Sequence, residues 1–212
     1  MASFKGNSNN GSPGRNGNTV TYLLYGNLVT RVIGLRTDKP TVPVLRSRQV
    51  TALTTALLKP VKTFIAIGFE LEGRLESKSY YNVATTYNRL NAISGSYPEQ
   101  QIDFAKVLFS HGKMPVTPNV SVNRTEKGLI FNWDTGFTAK EINVNDQVML
   151  MAYSPGKPGT VFQLNAGRRN QGEASLSIRK RRKPLVLETY ISFISENRKI
   201  VSDSIYTGQI IW

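Results

Sequence analysis

The chain lacks cysteine and has a single histidine, His111, among its 212 residues. Without cysteine there is no disulfide, no thiol nucleophile and no zinc site built on thiolates. A serine nucleophile needs a base beside it, and one histidine in a Ser-His-Gly-Lys turn sequence is more typical of a solvated loop. We therefore predict no catalytic residue, no metal site and no cofactor.

Acidic residues are also scarce, with 14 Asp and Glu against 27 Lys and Arg, for a net charge of +13. Charged residues make up only 19% of the chain, so the basic excess is not a by-product of a highly charged surface. Residues 1–62 hold nine basic side chains and one acidic side chain. Such a field attracts polyanions such as nucleic acid, anionic lipid or an acidic protein face.

No uninterrupted apolar run reaches the ~20 residues that span a bilayer. The first residues, Met-Ala-Ser-Phe-Lys-Gly, do not form the apolar stretch of a secretory signal. We expect a cytoplasmic protein, or part of a particle assembled in the cytoplasm, without membrane insertion.

Paired carboxylates leave an enzymatic alternative open. Glu70 and Glu72 would share one face if residues 69–73 were extended, and glycosidases use such pairs. Nothing else in the sequence marks a cleft around them, and the glycines at 11, 14 and 17 match neither a P-loop nor a dinucleotide fingerprint. A carboxylate-based hydrolase is thus the weakest reading, and we predict that the chain is not an enzyme.

The N-terminal part is predicted to be an arm followed by a hairpin. Residues 1–18 are rich in Gly, Asn and Ser, which predicts a flexible basic arm without a core of its own. Two β-prone runs flank Gly26-Asn27, a strong hairpin signal, and they are apolar on both faces. We expect this hairpin to contact a neighbouring subunit through Tyr22, Leu24, Tyr25 and Leu28.

Two helices are predicted next. Apolar residues recur at helical spacing from Val44 to Gly68, with a kink or break expected at Lys59-Pro60. The second helix is predicted over about 78–93, with Ser77 as its N-cap and Gly95 just beyond its end. An apolar run at 102–109 predicts a strand, and the hairpin-plus-helix region is placed at 19–113.

Short strand patterns separated by turn signals fill residues 114–212. Residues 174–178 alternate strictly, and 148–153 form a continuous apolar run closed by Ser-Pro-Gly-Lys-Pro-Gly. Further strand patterns lie at 120–122, 129–133, 187–195 and 200–211. This spacing predicts an antiparallel β-sandwich of the Ig or fibronectin kind, and an α+β class for the whole chain.

The order of these parts resembles an uncharacterised family, a domain of unknown function found in Bacteroidota bacteria. The resemblance covers essentially the whole chain and rests on residues 14–20, 65–69, 87–98, 102–108, 131–134 and 190–196. It implies a shared fold but no known activity. Leu24 departs from the family pattern, which has Trp there, and the basic run 179–183 is not part of that pattern. The C-terminal part also resembles fibronectin type III-like sandwiches, with Trp133 in an early strand.

Basic side chains provide the main functional signal. A run of five cations at 179–183 can neutralise several phosphates, although a solvated loop is an equal alternative. No recognition helix or zinc finger is present in the sequence, so DNA or RNA would be bound non-specifically. The predicted polyanion-binding residues are Lys5, Arg15, Arg31, Arg168, Arg169, Arg179, Lys180, Arg181, Arg182 and Lys183.

These observations favour a non-enzymatic structural or binding protein. We expect it to self-associate or join other subunits in a shell, filament or nucleoprotein particle, with basic surfaces for a polyanion. The alternative is a monomeric β-sandwich module that recognises a protein or glycan.

Overall fold

A computed structural model describes residues 13–34, 39–136, 139–140 and 142–212 of the chain. The chain divides into two compact units, Met1–Thr41 and Val42–Trp212. This division differs from the predicted boundary at 113/114, because the helices that follow Thr41 share their core with the strands beyond residue 114. Most of the predicted arm, including Lys5, lies outside the described residues.

The first unit contains an antiparallel sheet of order β1-β2-β3, formed by Gly14–Asn16, Thr19–Leu24 and Asn27–Val32. The predicted hairpin is present as β2 and β3, but its turn lies at Tyr25-Gly26, one residue before the predicted position. Both turn residues have positive φ, 51° and 80°, as the commonest two-residue hairpin turn requires. β1 falls inside the segment predicted as a flexible arm.

The second unit begins with helices. They are α1 (Val42–Leu58), a 3-10 turn (Lys59–Val61), α2 (Lys62–Gly68), α3 (Glu70–Leu75) and α4 (Tyr80–Asn91). The predicted break at Lys59-Pro60 is confirmed, since proline has no N–H to continue the α-helical ladder. The predicted cap of α4 was wrong by two residues: Ser79 is the N-cap, and its side chain accepts a hydrogen bond from the Asn82 N–H.

The helical stretch Val42–Gly68 has the length and apolar composition that would allow it to cross a membrane, with a mean hydropathy of 1.4 in its best window. Charged residues interrupt this stretch, so it contains no long uninterrupted apolar run. The core helix of a soluble protein meets the same two criteria. In this protein Leu57, Leu58 and Phe64 of the stretch are fully buried in a core cluster with β-strand residues.

The strand predicted at 102–109 is wrong for most of its length. Only Gln101–Ile102 is a strand, β5, which pairs with β4 (Ile93–Ser94). Beyond it the Asp103 side chain caps a 3-10 turn over Phe104–Lys106. The Leu108 and Phe109 N–H groups then donate to the side chains of Asn88 and Ser204, so no neighbouring strand is needed to satisfy them.

Two antiparallel sheets make up the rest of the second unit. One has the order β10-β7-β6 and the other β12-β11-β8-β9. None of the sheets in the described residues closes on itself. β9 was not predicted. The strands are β6 (Ser121–Arg124), β7 (Gly128–Asn132), β8 (Gln147–Tyr153), β9 (Val161–Arg168), β10 (Glu173–Ser177), β11 (Val186–Ile194) and β12 (Ile205–Ile211).

β8 lies between two buried clusters, which explains its continuous apolar sequence. Val148, Leu150 and Ala152 face a cluster that also holds side chains of the three-stranded sheet, such as Phe131. The alternate residues, Met149, Met151 and Tyr153, face the cluster built by the helices. A strand covered on both faces reads as an apolar run and not as an alternation. The fold is therefore mixed α+β, with helices on one face of the four-stranded sheet and a second sheet on the other.

A candidate polyanion-binding cleft

A basic cleft forms where the β6–β7 turn meets the loop that follows β10. Thr125 closes the turn, because its N–H and its hydroxyl both donate to the carbonyl of Gly128, at 2.8 and 3.0 Å. The Ile178 N–H donates to the Lys127 carbonyl at 3.1 Å, which brings the start of the basic run 179–183 beside this turn. A side chain at Gly128 would collide with the backbone of Leu176, so the close approach of β7 and β10 here depends on glycine.

Trp212 closes the cleft from the other side. Leu185 and Trp212 exchange backbone hydrogen bonds of 2.9 and 2.8 Å, and the Trp212 indole N–H donates to the Arg179 carbonyl at 3.2 Å. These bonds hold both ends of the basic run against Trp212. The cleft has a volume of about 870 Å³ and is lined by Arg124, Thr125, Glu126, Lys127, Lys180, Arg181 and Trp212.

Four cations and one carboxylate therefore line this cleft, and we refer to it below as the basic cleft. Arg124 is oriented by two contacts: it donates to the Ile211 carbonyl at 2.9 Å, and its guanidinium carbon lies 4.9 Å from the centre of the Trp212 ring. Arg181 packs directly against the backbone of Gly159. Within the described residues none of the four cations is in a salt bridge, so the cleft keeps an excess of positive charge over the single side-chain carboxylate, Glu126, that lines it.

The structure brings only part of the predicted basic set together. Lys180 and Arg181 line the cleft, while Arg179, Arg182 and Lys183 are exposed neighbours in the same loop. Arg168 is exposed on β9 and pairs with Glu196 at 3.0 Å, which neutralises its charge locally.

The prediction that Arg169 binds a polyanion was wrong, because Arg169 is a core residue and not a surface cation. It is 4% exposed, and its Nε lies 3.2 Å from the Asp146 carboxylate. The guanidinium also contacts Thr117 and Met114 and lies 4.0 Å above the Phe193 ring. Burial lowers the pKa of Arg169, and the charge of Asp146 opposes that shift. The residue thus holds the interior together and contributes nothing to a polyanion surface.

The strand register of the first unit sorts the hairpin side chains onto two faces. Arg15, Val20 and Arg31 are aligned across the three strands, so the two arginines share one face, and Tyr22 lies on it two residues from Val20. The other face carries Leu23, Leu28 and Val32, without a charged side chain in the described strands. The predicted assembly residues are thus divided: Tyr22 and Leu24 share the arginine face, Leu28 has the opposite face, and Tyr25 is in the turn.

The candidates for catalysis do not converge. Glu70 and Glu72 belong to a helix, not to an extended segment, and Glu70 pairs with Arg74. His111, expected to be a solvated loop residue, places its Nδ1 2.7 Å from the Asp203 carboxylate, which also accepts from the Gly112 N–H. Tyr87 stacks beside this pair, and burial followed by the charge of Asp203 raises its pKa. In the described part of the chain, no three His, Cys, Asp or Glu residues are grouped to hold a metal ion.

Sequence reasoning missed Arg124, Lys127 and Trp212 as cleft residues. The sequence Arg-Thr-Glu-Lys at 124–127 is a basic hairpin turn, and that signal was available. Their meeting with the run 179–183 depends on the pairing of β7 with β10 and on the bond from the Arg124 side chain to the Ile211 carbonyl, 87 positions away, which no local pattern reveals.

Comparison with known proteins gives one match. Residues 34–208 match the model of a family described as a family of unknown function, DUF6266. No curated protein and no solved structure matches the chain.

Proposed function

We propose that this chain, which belongs to the family of unknown function DUF6266, is a non-enzymatic structural or binding protein whose basic cleft holds a polyanion. The single observation that supports this is the convergence of Arg124, Lys127, Lys180 and Arg181 on one cleft without salt-bridge partners among the described residues. Each phosphate that such cations neutralise releases counterions, which favours binding at low salt. The proposed ligand is a phosphate-rich chain such as RNA or DNA, held without sequence preference because contacts to phosphate carry no sequence information.

The test measures the affinity of the protein for a labelled single-stranded oligonucleotide by fluorescence anisotropy at several salt concentrations. Replacing Lys180 and Arg181 by alanine removes two cations, so the slope of log K against log salt is expected to fall by about 1.4, since each lost phosphate contact on a single strand contributes about 0.7. The matched control replaces Arg198 and Lys199, an equally charged pair in the turn between β11 and β12.

An equal loss of slope in the two double variants would mean that net charge alone attracts the oligonucleotide and that the cleft has no special role. A sequence-dependent affinity would also contradict the proposal. A polyphosphate competitor should displace the oligonucleotide, because the contacts proposed are to phosphate.

A second part of the proposal is self-association through the hairpin, which would place the protein in a larger assembly such as a shell, filament or nucleoprotein particle. It is supported by Leu23, Leu28 and Val32, which are 59%, 41% and 64% exposed on one uncharged face. A three-stranded sheet depends on a hydrophobic face for its stability in water, and here that face is exposed. A second copy can cover this face without bringing cations together, whereas the Arg15 and Arg31 face would oppose like charges.

Mass photometry of a Leu23→Thr, Leu28→Thr variant tests this association. The variant is expected to be monomeric at concentrations where the natural chain forms larger species. Leu90→Thr is the control, because Leu90 is 75% exposed on α4, in the other unit. Deleting residues 1–18, which removes β1, should also weaken association. A natural chain that is monomeric throughout would instead favour a monomeric recognition module for a protein or glycan.

We also propose that the two facing sheets form a sandwich of the Ig or fibronectin type III kind. The shared cluster between them supports this, and so does Trp133, which lies edge-on to Phe193 of the opposite sheet with ring centres 5.7 Å apart. We further propose that the protein is cytoplasmic.

A further inference from the structure

A groove separate from the basic cleft lies between the end of α1 and the turn after β8. We call it the proline-turn groove: its floor and walls include Leu53 and Ala56 of α1, Pro60, Phe104, and the turn 154–159, Ser-Pro-Gly-Lys-Pro-Gly. Its volume is about 540 Å³, within the range of roughly 300–1,000 Å³ typical of small-molecule sites. We propose that it binds a small amphipathic carboxylate, with the apolar part against α1 and the carboxylate at the turn.

The walls of the groove select an apolar body. Leu53, Ala56 and Pro60 present aliphatic groups from the helical side, and Phe104 and Tyr153 present aromatic rings that lie 6.0 Å apart between centres. Transfer of a hydrocarbon chain or ring from water onto such a surface is favourable. An apolar wall alone does not identify an occupant, and the polar groups of the turn narrow the choice.

Ser154 supplies a polar group that lacks a partner. The residue is 2% exposed and lines the groove, and its hydroxyl has no hydrogen-bond partner in the described residues. The backbone N–H of Ser154 is already bound to the Thr160 hydroxyl at 3.0 Å, which fixes the turn. A buried hydroxyl without a partner lowers stability, and a hydrogen bond to a ligand oxygen would remove that cost.

Charge complementarity favours an anion over a cation or a neutral end group. Lys157 lines the groove from the middle of the turn, and the lining contains no acidic side chain. The guanidinium of Arg181 packs against the backbone of Gly159, the last residue of the turn. It adds a second positive charge there. An oxygen acceptor that carries negative charge therefore suits both the Ser154 hydroxyl and this field.

The experiment compares three probes with the same eight-carbon body, octanoate, octan-1-ol and octylammonium, by isothermal titration calorimetry on the full chain. Octanoate is expected to bind, with octylammonium at least tenfold weaker and octan-1-ol between them. Lys157→Gln should weaken octanoate and leave octan-1-ol unchanged. Ser154→Ala should weaken octanoate roughly fivefold, the equivalent of one ordinary hydrogen bond of about 1 kcal/mol.

A variant that fills the groove tests whether octanoate binds there. Ala56 is exposed, so Ala56→Phe places a ring in the groove without entering the core, and octanoate affinity should fall at least tenfold. Ala52→Phe is the control, because Ala52 is on the same helix and lines an adjoining depression but not the groove, whereas Ala56 lines both. The proposal is overturned if octanoate does not bind the natural chain, if octylammonium binds equally well, or if the Ala56→Phe and Ala52→Phe variants bind alike.

Discussion

At the scale of single residues, two neighbouring arginines have opposite roles. Arg169 and Asp146 are 4% and 1% exposed and form a buried pair, while Arg168 and Glu196 form a pair at the surface. Replacing Arg169 by methionine leaves the Asp146 carboxylate buried without its cation, so the free energy of unfolding is expected to fall by about 3–5 kcal/mol. Urea denaturation followed by tryptophan fluorescence measures the change.

The matched variant is Arg168→Met, which removes a surface ion pair. Such pairs contribute about 0–1 kcal/mol, so little change is expected. Similar losses in the two variants would mean that Arg169 does not hold a special place in the interior.

The partly buried phenol of Tyr206 predicts how stability depends on alkaline pH. The Tyr206 hydroxyl donates to Glu188 at 2.7 Å, and burial together with this bond raises the pKa of Tyr206 to about 12. The unfolded phenol titrates near 10, so the unfolded chain loses this proton first. The stabilisation is therefore complete below about pH 10 and is lost as the pH rises towards 12.

Urea midpoints at pH 8, 10 and 11 should fall with pH in the natural chain, and Tyr206→Phe should make that fall shallower. The slope is not abolished, because burial also raises the pKa of Tyr153 to about 12. Tyr25→Phe, at a residue 88% exposed in the hairpin turn, should keep the full slope. A pH response identical in all three proteins would rule out this role for Tyr206.

At the scale of elements, the start of α4 tests the assignment of its cap. The Ser79 hydroxyl accepts from the Asn82 N–H, so Ser79→Ala is expected to destabilise the protein by about 1 kcal/mol. Ser77, the residue expected from sequence, instead has a φ of 53°, where glycine is less strained than serine. Ser77→Gly should therefore leave stability unchanged or raise it, and thermal melts of both variants distinguish the two positions.

The sequence predicted elements well where one local pattern decides the structure. The strict alternation at 174–178 and the apolar run at 148–153 correspond to β10 and β8, and Pro60 ends α1 as expected. Prediction was wrong where distant side chains decide. Asn88 and Ser204 bind the backbone at 108 and 109 and replace a strand partner, and β9 mixes polar and apolar residues because it lies at the edge of its sheet.

At the scale of the whole molecule, the two compact units predict independent stability. Removing residues 1–41 leaves the buried clusters of the second unit intact, since every buried residue of both clusters follows Thr41. The urea midpoint of residues 42–212 should therefore equal that of the full chain. A lower midpoint for the shortened protein would show that the first unit stabilises the second.

Two of the four cations that line the basic cleft were visible in the sequence. The run 179–183 identified Lys180 and Arg181, because consecutive cations stand out in any composition analysis. Arg124 and Trp212 join them only through the pairing of β6 with β7 and through the bonds between Leu185 and Trp212. The meeting of two distant basic segments beside Trp212 is a property of topology, and no local sequence pattern indicates it.

The four-stranded sheet has interior on both of its faces, and this arrangement couples the regions that pack on its two sides. β8 and β11 contribute alternate side chains to the clusters on both sides of the sheet. A cavity made beneath the helices or beside Trp133 would therefore weaken the packing of the same two strands. Melting of residues 42–212 should accordingly be a single cooperative event, with no stage at which the helices are lost and the sheets survive.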